Sequence, residues 1–252
     1  MRAHLAKRGF GKGKSFRWRG GSEITRIEGF SDAVFAFAIT LLVVSLEVPK
    51  TFNELAVGMR GFVAFGLAFA MLFIIWLQQY TFFRRYGLQD SWTIALNAFL
   101  LFVVLFFVYP LKFLFGWMIR MWTGGSNEIQ LPNGQIEQIV GPGQAEQLMI
   151  VYGCGYIAVF GVFLLMYWHA WRSSGELELD ALELFDTRNS MQQHVVNIAI
   201  GAVSLAFALN GDPNWAGLTY VAVSPAMTLH GIWMGRKRRP LEAVLLVLDQ
   251  QH

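Results

Sequence analysis

The sequence predicts an all-α integral membrane protein, a bundle of six membrane-crossing helices. Three observations predict it. Apolar runs recur that are long enough to cross a hydrocarbon core, which takes about 20 helical residues at about 1.5 Å each. Of the 252 residues, 55% are hydrophobic and 15% charged, against about a quarter charged in an ordinary soluble domain. Lys and Arg also collect at the termini and in alternate loops, the segregation that marks cytoplasmic segments.

Residues 1–22 are rich in Gly, Lys and Arg and lack hydrophobic periodicity. They are expected to form a basic, largely disordered cytoplasmic arm. The GFGKGKS stretch beginning at Gly9 is no phosphate-binding loop, because the earlier glycine of that pattern falls on Arg8. The first crossing covers residues 26–49, and from Ala33 to Leu46 it is apolar apart from Thr40 and Ser45. A second covers 61–80 and ends near Arg84 and Arg85. A third covers 92–117, with Pro110 late in it. In the polar stretch 124–144, Pro132-Asn133-Gly134 signals a hairpin turn. The fourth crossing covers 148–171. Residues 172–193 interleave acids with leucines and read as a partly helical surface segment. The fifth and sixth crossings cover 194–209 and 215–234. The organisation is thus an arm (1–22), a six-span unit (23–235) and a cytoplasmic tail (236–252).

Six crossings put both termini on one side. That side also holds Arg84, Arg85, Arg172 and Arg188, while the opposite loops hold Lys50, Arg60 and Arg120, with Lys112 near a helix end. Both termini are therefore expected in the cytoplasm. The basic stretches from Arg2 to Arg26 and from Arg236 to Arg239 adjoin the membrane. Anionic lipids, and not nucleic acid, are their expected partners.

Reactive chemistry is sparse. No His pairs with another His or a Cys at metal-ligand spacing, and no Ser sits in a nucleophile elbow. The chain is not expected to be an enzyme or to carry a metal or cofactor. Cys154 is the one cysteine, which excludes an internal disulfide. Asp180, Glu183 and Asp186 read as a solvated face of an amphipathic segment.

The start of the first crossing is unusual, with Arg26, Glu28 and Asp32 at or inside its end. Ionisable groups there usually face the bundle interior and pair; interfacial anchoring is an equal alternative for Arg26 and Glu28, and fits Asp32 less well. At 3.6 residues per turn, Phe37, Thr40, Leu41, Val44 and Ser45 share one stripe, and Asp32 lies about 140° from Phe37. Such a stripe fits a packing seam as well as a pore.

Arg26, Phe30, Ser31 and Asp32 form Arg-x-x-x-Phe-Ser-Asp, followed by AVFAFAITLLVV. This resembles the prokaryotic branch of the transmembrane protein 175 potassium channel family. Trp76 near the end of the second crossing, and Trp92 and Asn97 early in the third, are similar to the family as well. Relatives carry Asn-His-His just after the tryptophan of the second crossing, where this chain has Gln78, Gln79 and Tyr80. The resemblance implies a homotetramer in a prokaryotic cell membrane, passing potassium through a pore lined by the first helix. It implies a hydrophobic constriction at Phe37, Leu41 and Val44, with no carbonyl filter. Thr40 is the implied contributor to selectivity, and Ser45 offers a further hydroxyl. The motif residues would hold the assembly, with Trp76, Gln79, Trp92 and Asn97 as possible partners. Relatives usually have Ile or Leu at the position of Phe37. The rival readings are a secondary cation transporter, which favours inverted repeats absent from this sequence, and a non-conducting membrane scaffold.

Overall fold

The computed structural model describes residues 16–21, 23–44, 51–131 and 133–249, with side chains described in all of these except 53–58, 60, 109 and 244–249. Ser45 and residues 1–15 therefore lie outside the described residues. The described chain is helical almost throughout: α1 Arg26–Val44, α2 Phe52–Tyr86, α3 Ser91–Trp122, α4 Gln144–Arg172, α5 Ala181–Leu209, α6 Pro213–Thr219 and α7 Val223–Asp249. The expected hairpin is present as β1 Glu128–Gln130 and β2 Ile136–Gln138, antiparallel with Ile129 opposite Glu137.

Among the described residues five helices are long and apolar enough to cross a membrane: α1, α2 from Gly61, α3 as far as Val108, α4 and α5. The sixth expected crossing, 215–234, is helical but divided. It consists of α6, a 3-10 turn at Tyr220–Ala222, and the start of α7. The helix α7 then runs on through Arg236, Lys237, Arg238 and Arg239, so no break separates the six-span unit from the tail at 236. The fifth crossing is also longer than expected. Asp180 caps α5 by accepting from Leu182 and Glu183 N–H, and Glu183 reaches back to the Asp180 N–H, a full capping box. The acidic stretch is thus largely the first turns of α5.

Those acids are not a solvated face. Glu183 is buried and accepts the Arg19 guanidinium at 2.6 Å and the Arg17 N–H at 2.8 Å. Asp186 takes Arg238 at 2.9 Å. Residues 16–21 likewise depart from the expected disordered arm. They form a strap across the ends of α2 and α5. Phe16 is buried edge-on against Tyr86, and Arg19 also donates to the Leu177 and Glu178 carbonyls. The Gly20 N–H donates to the Arg84 carbonyl at 3.1 Å. A Cβ at Gly20 would sit 2.7 Å from the Phe83 oxygen, so only glycine lets the strap lie this close.

The core runs between α1, α2, α3 and α4, through Phe35, Leu42, Leu72, Leu100, Val104 and Phe163. Many large apolar side chains stay outside it, among them Phe62, Phe73, Phe99, Phe102 and Phe106. Lipid solvates such surfaces where water does not.

Glu183→Gln keeps the shape of the strap anchor and removes its charge, leaving Arg19 without a counter-ion. Breaking a buried pair in this way costs about 3 kcal/mol. The thermal midpoint of the purified protein, followed by tryptophan fluorescence, should fall. An unchanged midpoint would show that the strap holds nothing.

Candidate functional site

The site begins where α1 begins. The Thr25 N–H donates to Glu28 Oε2 at 2.9 Å, and the Glu28 N–H donates to Thr25 Oγ1 at 3.3 Å. This reciprocal pair is a capping box, legible in the sequence as Thr-x-x-Glu before an apolar run. Glu28 also lies 3.9 Å from the Arg84 guanidinium.

One turn later, Ser31 is fully buried. Its hydroxyl donates to the Ile27 carbonyl at 2.8 Å and accepts from Asn97 Nδ2 at 2.9 Å. Asn97, 2% exposed, accepts in turn from Gln79 Nε2 at 2.7 Å. A chain of side-chain hydrogen bonds therefore ties α1 to α3 and α3 to α2. Beside it, the Trp76 indole N–H donates to Asp32 Oδ1 at 2.7 Å, and the Trp76 ring stacks between Phe73 and Tyr80.

Three of the four candidate partners, Trp76, Gln79 and Asn97, are thus brought to the motif. Trp92 is not: its side chain is half exposed in the first turn of α3, and among the described residues no hydrogen bond joins that side chain to the motif. Among the described residues Arg26 makes no ion pair within the chain, and Phe30 is exposed. The sequence reading centred the motif on Asp32. The structure buries Ser31 deeper, because Ser31 shares the packed stripe of α1 with Phe35, Ala38 and Leu42.

That stripe fixes the other face. Phe37, Leu41 and Val44 lie about 130° round the helix from it. They are 56%, 42% and 72% exposed in the single chain. Thr40 lies on the same uncovered face, and its hydroxyl donates to the Ala36 carbonyl at 2.9 Å. With its proton committed to the backbone, the Thr40 oxygen presents lone pairs outward. An oxygen so disposed can replace a water on a cation and cannot donate to it.

The α3 arm of the network is set by Asp90. It caps α3 by accepting from the Trp92 and Thr93 N–H groups, and it sits 3.0 Å from His169 Nε2 of α4. Burial pushes the Asp90 carboxyl up, but hydrogen bonds from Thr93 and His169 outweigh it and hold it below the usual carboxylate range. A depressed carboxyl contributes stability in full above its ordinary value of about 3.9 and loses it as pH falls through the folded value. Asp90→Asn should therefore flatten the acid limb of the stability profile and leave the alkaline limb in place. An acid limb identical to that of the unaltered protein would remove Asp90 from the account. Asn97→Leu breaks both bonds between helices, whereas Ser31→Ala breaks one of them together with its bond to the Ile27 carbonyl inside α1, at about 1–3 kcal/mol for each buried group left unpaired. The thermal midpoint should fall further for Asn97→Leu. Equal midpoints would contradict the chain of bonds.

Residues 26–107 match the model of a family described as endosomal/lysosomal potassium channel TMEM175. The chain is 39% identical to a potassium channel of Marivirga tractuosa over 92% of its own length and 95% of the relative's. It is 26% identical to a potassium channel of Streptomyces collinus over 84% and 89%. Among solved structures, a threonine-to-alanine variant of the potassium channel MtTMEM175, in complex with a nanobody fusion protein, superposes with a TM-score of 0.77. There the identity is 37%, over 90% of this chain and 99% of the other.

Proposed function

The chain belongs to the TMEM175 potassium channel family, and on that footing we propose that it is a passive, potassium-preferring cation channel. The conducting path runs along the uncovered face of α1 in a homotetramer in a prokaryotic cell membrane, with both termini in the cytoplasm. One observation carries the reading. α1 is locked into its own subunit on the Ser31–Leu42 side and leaves Phe37, Thr40, Leu41 and Val44 exposed among the described residues.

Four copies of that face around an axis form a neck of Phe37, Leu41 and Val44 rings. A cation entering a narrow apolar neck loses hydration without replacement, so the neck obstructs by dewetting until it widens. Four outward Thr40 oxygens return part of that hydration, and the larger, more weakly hydrated cation then passes at lower cost. The Arg26 guanidinium, without an ion-pair partner among the described residues of its own subunit, lies at the assembly end, where Asp32 of a neighbouring copy is a natural counter-charge. At the surface, Arg236 and Arg239 are exposed and available to anionic headgroups, whereas Arg238 is taken by Asp186 and Glu242.

Potassium and sodium efflux from proteoliposomes tests the proposal. Phe37→Ala and Leu41→Ala widen the neck and should raise flux of both ions several-fold. Thr40→Val, which keeps the shape and removes the oxygen, should lower the preference for potassium. Unchanged flux in both alanine variants would remove the face from the conducting path.

A further inference from the structure

Between α2 and α7 the bundle is cleft by a cavity of about 900 Å³. Ligand sites usually measure about 300–1,000 Å³. Val159 and Phe160 of α4 lie in its floor, and Trp122 of α3 marks one end. Its banks carry exposed apolar side chains, Ile74 on α2 and Val221 in the 3-10 turn that leads into α7, so the cleft opens sideways, toward lipid.

The other end is polar, and its groups come in a definite order. Arg85, part-buried, stacks over the Phe16 ring at 5.1 Å and reaches the Ser190 hydroxyl at 3.4 Å. Among the described residues no carboxylate pairs with it, and Asp186 on the same helix end is taken by Arg238. A cation at the mouth of an apolar cleft without a counter-charge is costly. His194 lies one helical turn, about 6 Å, deeper than Ser190 along α5. It is 5% exposed, it lines the cleft, and its Nδ1 has no hydrogen-bond partner among the described residues.

We propose that the cleft is a binding site for an anionic phospholipid, with its phosphate on the Arg85 guanidinium, which the Ser190 hydroxyl oxygen positions while its proton goes to the Asp186 carbonyl, an ester carbonyl accepting from His194 Nδ1–H, and its acyl chains laid along the floor toward Trp122. The order of groups in the cleft is the order of groups in such a lipid: charge, then ester one short glycerol deeper, then hydrocarbon. An anionic headgroup supplies the missing counter-charge. A choline headgroup would bring a second cation to it. The site is separate from the exposed Arg236 and Arg239, which meet headgroups only at the surface.

The purified channel, stripped of lipid by extended detergent washing, is incubated with phosphatidylglycerol or phosphatidylcholine and examined by native mass spectrometry. It should retain phosphatidylglycerol and release phosphatidylcholine. Loss of the charge-assisted bonds in Arg85→Gln should cut retention about tenfold, and Arg85→Lys should restore most of it. Ser224→Trp, which narrows the mouth without touching Arg85, should also cut retention. Excess inorganic phosphate should leave the adduct in place. Wild-type retention in both Arg85→Gln and Ser224→Trp would overturn the proposal. So would equal retention of the two lipids, or displacement by inorganic phosphate.

Discussion

The buried hydrogen-bond chain Ser31–Asn97–Gln79 is the constraint on which the rest of the molecule depends. In a lipid environment each such bond is worth about 0.6–2 kcal/mol, because an unpaired polar group finds no water. The modest energy matters less than the direction. A rotation of α1 by one residue's angle would take Ser31 out of the chain and leave Asn97 Nδ2 unpaired. The three polar side chains therefore fix how α1 is turned in its subunit. They also decide which apolar residues it packs and which it leaves bare.

The end of the bundle at which α1 starts is held by several short-range devices. Thr25 and Glu28 cap α1, Asp90 caps α3, and Asp180 with Glu183 caps α5. The strap at residues 16–21 joins these helix ends, with Arg19 drawing Glu183 against the segment that leads into α1. The opposite end carries the exposed β1–β2 hairpin and the short α6. The asymmetry suits a helix anchored at one end and uncovered along one face.

Much of this was legible in the sequence. The apolar runs gave the helices, and the Pro132-Asn133-Gly134 turn gave the hairpin. The motif and its resemblance pointed to Trp76, Gln79 and Asn97 before any distance was known. What escaped had physical reasons. Helical angles place Phe37, Leu41 and Val44 on one stripe but do not say which stripe is packed, so Ser31 was overshadowed by the more conspicuous charge of Asp32. The acids of α5 look like a solvated face because the sequence does not reveal that Arg19 and Arg238 fold back onto them. The division of the sixth crossing follows from Tyr220–Ala222, a local tightening that hydropathy does not register. The Arg85 cleft is built from residues of every helix from α2 to α7 and has no linear signature.

The central claim is that the uncovered face of α1 walls the conducting path. Cysteine accessibility along α1 tests it most directly, in a Cys154→Ser background that removes the one native thiol. Cysteines at Phe37, Leu41 and Val44 should let a charged thiol reagent block potassium current. Cysteines at Phe35, Ala38 and Leu42, packed inside the subunit, should not. Block at the packed positions, or at none of the uncovered ones, would contradict the account.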